Sequence, residues 1–384
     1  MPTPLAWHNL LHNKTRTAVA VAGVMFAVVL IFMQLGFRES AATGATRIYQ
    51  ALDFDVLIRS KEYLLFSSPR GFPRNRLLVV AGTPGVVRAS PLYVGISDWR
   101  NAKTGMRRGI LALGVPPGEA VFQPDEIRRE LPLLESPDAV LIDRFSQVGF
   151  GPQDDRAFGD ADVDRHVELG RKDVRIAGHF GLGTGFAADG TVLLGETGFL
   201  RLYPGWKTDT ISLGLVKLAP GVDPDRIVTT FRERLPDDVE TVGRAKVLAD
   251  EEDYWITQTS IGQIFFLGVL VALAVGTVIV YLVLSSDVAN RLGEFATMKA
   301  LGYTGAAVAG VVLQQAVVLA VVGFVFGLVF SLGLYHVTRA TAGLPIEMTF
   351  LRALAVLGMS VAMCTASGIG ALGKLRGAEP ASLF

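Results

Sequence analysis

Apolar and charged positions are not evenly mixed along the chain. Four runs, Thr17–Phe37, Ile256–Ser286, Gly305–Val337 and Ala353–Gly373, contain no Asp, Glu, Lys or Arg. A hydrocarbon core of about 30 Å is crossed by roughly 20 apolar residues in α-helix. Each run reaches that length, so the pattern predicts four membrane-spanning helices. Their order is lopsided, because the first and second are separated by the long, largely polar segment 38–255. The expectation is an integral membrane protein with one large extramembrane domain.

Inside that segment the period shortens to two. Asp53–Arg59, Tyr93–Trp99 and Arg108–Gly114 alternate and carry strand-forming residues. After a Gly- and Asp-rich break at 149–164 the signal returns at Asp173–Gly178, Thr191–Leu194 and Ile211–Leu218. These predict a mixed α/β module in two subdomains with the boundary near that break. Asp223-Pro224-Asp225 predicts a helix capped by Asp with Pro at its first position, ending near Leu235 before Pro236. From Ala245 a helical pattern runs through Tyr254-Trp255 into the second apolar run, with no Pro or Gly before Gly262. This predicts an unbroken lever, with Tyr254 and Trp255 at headgroup level.

Composition separates two materials. The chain is 50% hydrophobic and only 19% charged, but of its 36 basic and 36 acidic residues only eight and four lie outside Arg38–Thr259. The large segment is therefore mildly acidic with both signs mixed, which excludes a nucleic-acid surface. Cys364, the single cysteine, falls in the fourth apolar run, so no intramolecular disulfide or Cys-rich zinc site exists. The first run exceeds the 7–15-residue core of a signal peptide and lacks a small-x-small cleavage pattern, so a retained span is expected.

Motifs for chemistry are incomplete. Gly368–Lys374 spells most of a phosphate loop, but Leu375 stands where Ser or Thr must hold magnesium. Gly181–Gly185 lacks the third glycine of a dinucleotide loop, with Phe186 in its place, and is expected to be a turn. His8, His12, His166, His179 and His336 form no metal-binding frame. No Gly-x-Ser-x-Gly elbow occurs, and no carboxylate pair stands out, so an enzyme is not expected. The spans lack the ionisable groups of an ion-coupled pump, so the energy for transport has to come from a partner.

Between the second and third runs, Asp287–Tyr303 predicts a short amphipathic helix. Arg291 and Glu294, three apart, share one face, Leu292, Phe295 and Ala296 another, and Gly302 supplies a stop. In the third run Gly323, Gly327 and Ser331 recur every fourth residue, the spacing at which membrane helices approach closely.

Arg291, Glu294, Ala296, Lys299, Ala300 and Gly302 match the Arg-x-x-Glu-x-Ala-x-x-Lys-Ala-x-Gly that precedes the third span in permeases of the MacB and FtsX superfamily of ATP-binding-cassette systems, which this chain resembles. Its start is similar to the DevC type in Leu5-Ala6-Trp7, Asn13–Arg16, Ala22-Gly23-Val24 and Met33–Arg38. The resemblance implies an α+β membrane protein of four spans, with a large mixed α/β extracytoplasmic domain between the first and second. It implies a bacterial inner-membrane location, cytoplasmic segments 1–16, 287–304 and 374–384, spans 17–37, 256–286, 305–337 and 353–373, and periplasmic segments 38–255 and 338–352. It also implies ATPase coupling through Arg291, Glu294, Phe295, Met298, Lys299 and Gly302. The implied partners are a separate ATPase dimer that binds the ATP and magnesium, a second permease copy, a membrane-fusion adaptor, an outer-membrane channel and membrane lipid. This chain itself would bind no cofactor or metal and would drive export of an amphiphilic cargo. The alternative within the superfamily is an FtsX-like regulator that activates a cell-wall hydrolase.

Overall fold

The computed structural model describes residues 14–183, 189–342 and 344–376. It divides into two compact units, one of Ser40–Thr259 with Gly343–Pro345, the other of Met1–Glu39, Ser260–Ala342 and Ile346–Phe384. The first element, α1 (Lys14–Ala51), is 38 residues of continuous helix. It does not end with its apolar run at Phe37. At 1.5 Å per residue it is about 57 Å long, nearly twice a hydrocarbon core.

The sheet unit continues with β1 (Val56–Ser60), β2 (Phe72–Pro73), α2 (Asn75–Ala81), β3 (Val86–Arg100), β4 (Arg107–Val115), α3 (Asp125–Glu130), β5 (Ala139–Asp143), β6 (His166–Leu169), β7 (Lys172–Phe180), β8 (Thr191–Gly195), α4 (Glu196–Leu202), β9 (Thr210–Ile211), β10 (Leu213–Leu218), α5 (Pro224–Arg234), β11 (Val239–Gly243) and α6 (Arg244–Asp253). Nine strands form one sheet in the order β11-β1-β10-β3-β4-β8-β5-β7-β6. The fifteen-residue β3 belongs to both halves. Its first part pairs with β10 up to Leu92, and its second pairs with β4 from Tyr93 onward. Pro91, which has no N–H to give, sits just before that handover. At the far end Trp99 and Arg100 pair with Leu169 and Glu168 of β6, so six strands close into a ring. Each face buries its own cluster, one around Tyr93, Trp99, Phe199 and Phe231, the other around Phe54, Leu111, Phe122 and Phe180.

The expected division near 149–164 is corrected by this topology. Strands before and after it alternate within one sheet, and the last two, β10 and β11, return to flank β1. α5 matches its sequence signature, with the Asp223 carboxylate accepting from the Asp225 N–H at 3.0 Å and Pro224 in the first turn.

The helical unit holds α7 (Ser260–Asn290), α8 (Leu292–Ala300), α9 (Gly305–Ala342) and α10 (Phe350–Arg376). With α1, the long α7, α9 and α10 make four helices long and apolar enough to cross a membrane among the described residues. Inward faces mix small residues such as Ala272 and Ala316 with large ones such as Phe32 and Tyr335, and Ser367 Oγ of α10 donates to the Thr277 carbonyl of α7 at 2.8 Å. Outward faces carry large apolar residues, including Phe266 and Leu267 on α7 and Phe326 and Phe330 on α9. Such a surface suits lipid rather than water. Gly368–Lys374 is helical, part of α10, and Cys364 is buried within the same helix.

Candidate functional site

The segment between α7 and α9 folds as the nine-residue α8. Gly302 takes φ +91, and the N–H of Tyr303 reaches back to the Met298 carbonyl at 3.1 Å, closing the helix with a left-handed cap. Arg291 is buried, with Nε donating to Asp287 Oδ1 at 3.2 Å and Nη1 lying 3.6 Å from Glu294 Oε2. It fastens the start of α8 to the end of α7, so its side chain is spent within the chain. Glu294 is 69% exposed, and Met298 is half-buried. The side chains of Phe295 and Lys299 lie outside the described residues. The structure adds two residues that the sequence reading missed, Leu301 and Tyr303, exposed by 73% and 55% just beyond the helix. Their exposure beside the cap is something that only the fold reveals.

Gly323 and Gly327 of α9 face α1. A Cβ at Gly323 would come within 2.5 Å of Val24 Cγ1, and one at Gly327 within 2.5 Å of Val28 Cγ1. Ser331, one turn on, is fully buried. The four-residue spacing therefore serves contact within the chain, between α9 and α1.

At its other end α1 is held by α6. The last turn of α1 has no basic residue of its own, and its final carbonyls need donors. Arg244, the first residue of α6, supplies one of them and caps two carbonyls just past the helix end. Its Nη1 donates to the carbonyls of Leu52 and Phe54 at 2.7 and 3.2 Å, and its Nη2 to Gln50 at 3.0 Å. The guanidinium also stacks 4.9 Å over the Phe54 ring.

A buried relay makes a second link. The hydroxyls of Tyr49 and Tyr63 are 2.6 Å apart, and Tyr63 donates to Glu251 Oε2 at 2.6 Å. With that proton committed, Tyr49 is the donor to Tyr63. The Phe66 N–H donates to Glu251 Oε1 at 3.2 Å. Arg59, 4.8 Å over the Tyr63 ring, is engaged by Glu240 and Asp250. Burial pushes the Glu251 carboxyl above the ordinary value, and the donors around it, with Arg59, offset this only in part. Its neighbour Asp250 moves the other way, since Lys246 and Arg59 outweigh its burial.

A raised carboxyl favours the fold while it is protonated, and that contribution is lost as pH rises through the folded value. Local opening of α6 should therefore become easier as pH climbs from about 4.5, the unperturbed carboxyl value, toward neutrality. In Glu251→Gln that slope should vanish, with α6 amides better protected than wild type at pH 7. Hydrogen exchange on the full chain across this range checks both; equal slopes would refute the assignment.

The expected unbroken lever through Tyr254 and Trp255 is corrected. α6 ends at Asp253, Tyr254–Gln258 form a π-turn, and Thr259 is extended at φ −90 and ψ 153 before α7 starts. Thr257 and Thr259 turn their hydroxyls onto the carbonyls of Asp253 and Trp255, each at 2.7 Å. Such back-bonding competes with the helix ladder. The continuous element is α1.

No group of three or more metal-ligating side chains occurs among the described residues. Gly181–Gly183 are irregular, with the N–H groups of Leu182 and Gly183 held by the buried Asp143 carboxylate at 3.1 and 2.8 Å. The rest of that glycine motif, His8 and His12 lie outside the described residues.

Residues 266–380, which include α8, α9 and α10, match the FtsX-like permease C-terminal family. An uncharacterized ABC transporter permease of Mycobacterium bovis is 27% identical over 344 residues, covering 87% of this chain and 86% of that protein. Another from Mycobacterium tuberculosis is 26% identical over 335 residues, covering 85% and 84%. Among solved structures, the periplasmic region of MacB from Actinobacillus actinomycetemcomitans aligns with TM-score 0.37 and 8% identity, over 54% of this chain and 96% of that one. The extracellular domain of the noncanonic ABC-type transporter YknZ from Gram-positive bacteria aligns with TM-score 0.33 and 12% identity, over 50% and 99%. The C-terminal part of this chain is thus similar to the FtsX-like permease C-terminal domain, and the relatives it matches over most of its length are named as ABC transporter permeases.

Proposed function

We propose that this chain is the non-catalytic membrane subunit of an ATP-driven exporter, coupled through α8 to a separate ATPase that binds the ATP and magnesium. The observation that carries this reading is α8 itself. It is a short helix between two long apolar helices, anchored by the buried Arg291 and offering Glu294, Leu301 and Tyr303 to a partner. Movement received there passes to the helical unit and along α1, whose far end is held by Arg244 and by the Tyr49–Tyr63–Glu251 relay. Two copies would sit on two ATPase subunits in a bacterial inner membrane. The sheet unit would lie in the periplasm and face an adaptor and outer-membrane channel, as the DevC-type motifs suggest. The cargo would be amphiphilic, a glycolipid, lipid or peptide-like molecule.

Purification of the tagged chain from native membranes tests this, with an ATPase expected in the eluate. Leu301→Asp with Tyr303→Ala should lower the recovered ATPase severalfold while leaving the elution profile of the chain intact. Arg291→Glu sets a third acid beside Asp287 and Glu294 and should cost stability as well as coupling. A wild-type eluate free of ATPase, or one holding a peptidoglycan hydrolase instead, would overturn the exporter reading.

A further inference from the structure

The segment Gln34–Glu39 of α1 meets three other helices within six residues. The Gln34 side chain lies against Gly268 of α7, and the Phe37 ring stacks on Phe265 at 5.8 Å and 22°. Gly36 lets Tyr335 of α9 approach so closely that a Cβ there would stand 2.5 Å from the Tyr335 hydroxyl. Glu39 forms an ion pair with Arg352 of α10. Resting on the permease reading, we propose that Glu39, Arg352 and Tyr335 form a polar latch that sets the position of α1 against α9 and α10 as the transporter cycles.

The connections run through one hydroxyl. Arg352 Nη1 donates to the Tyr335 hydroxyl at 3.3 Å and to the Glu347 carbonyl at 2.5 Å, and its guanidinium lies 5.9 Å from the Tyr335 ring. Tyr335 in turn donates to the Phe32 carbonyl of α1. α10 therefore reaches α1 twice, directly through Glu39 and indirectly through Tyr335.

The two ends of the ion pair differ in a way that a static strut would not need. The Arg352 side chain is 6% exposed and that of Glu39 is 45% exposed. Glu39 can exchange its partner for water at modest cost, whereas Arg352 cannot leave without stranding a buried cation. Arg352, Tyr335 and the Glu347 carbonyl are thus the fixed half, and Glu39 is the half that comes and goes. Farther along, α1 and α9 meet through Val24 against Gly323 and Val28 against Gly327, contacts that hold by shape alone. Helices packed in this way keep their spacing while a polar contact at one end opens and closes.

The test uses the full chain purified from native membranes with its ATPase. Glu39→Arg and Arg352→Glu should each change ATP hydrolysis by about fivefold, and the double exchange should return it to within about twofold of wild type. A purely structural pair would lower thermal stability in the single variants and leave hydrolysis per folded molecule unchanged. Unchanged hydrolysis in the single variants would overturn the latch, as would a double exchange as impaired as either single with a normal elution profile. If the single variants fail to accumulate, Tyr335→Phe decides, because it keeps the ring and removes the hydroxyl. Altered hydrolysis by intact protein supports the latch, and wild-type hydrolysis overturns it. A wild-type eluate without ATPase would remove the permease reading and the latch with it.

Discussion

Gly327→Leu should sharply destabilise the helical unit. The new Cβ would stand 2.5 Å from Val28 Cγ1, 2.8 Å from Val28 Cβ and 3.2 Å from the Met25 carbonyl. No rotamer relieves a clash at Cβ, so α9 and α1 must separate. Overpacking of this kind costs about 1–3 kcal/mol or more, and separation also gives up the close contact on which helix association in lipid depends. Gly333→Leu on the same helix is the control, since nothing lies within 4 Å of its Cβ position. Thermal stability of the detergent-solubilised chain should fall sharply for Gly327→Leu and stay near wild type for Gly333→Leu. Equal stabilities would mean that the α1–α9 contact is not built on these glycines.

Arg244→Ala should be the largest effect in the sheet unit. Three carbonyls lose charged donors together, that of Gln50 in the last turn of α1 and those of Leu52 and Phe54 just beyond its end. Each charge-assisted hydrogen bond contributes about 1.5–3 kcal/mol. Arg244 is partly solvated, so a total near 2–4 kcal/mol is expected. Hydrogen exchange in the full chain should show faster exchange across 47–54, with the ring strands unchanged. Arg244→Lys should recover less than half, because an ammonium cannot reproduce the planar fork that spans these carbonyls. If exchange in 47–54 did not respond, α1 would be anchored by other contacts.

The sequence revealed most where the physics is local. Charge-free runs marked the long helices, alternation marked β1, β4 and β7, and Asp223-Pro224 marked α5. Ala139–Asp143 was missed because a short apolar run reads equally as strand or buried helix. The two-subdomain reading failed because β10 and β11 pair with β1, far away in sequence, and no local signal carries that pairing. Arg38 and Glu39 end an apolar run but not a helix, which concealed the length of α1. The break at Thr259 has no Pro or Gly to announce it. At the candidate site, Arg291 and Glu294 were placed on one face correctly by spacing. Only burial shows that Arg291 is an internal fastener and that Leu301 and Tyr303 are on offer.

Because β3 is a rung of two ladders at once, neither half of the sheet can fray alone for long. Losing its pairs with β10 frees one end of the strand that the ring needs, and losing its pairs with β4 or β6 frees the other. A quality-control protease would therefore meet either an intact unit or an open chain, with few partly melted forms to nibble.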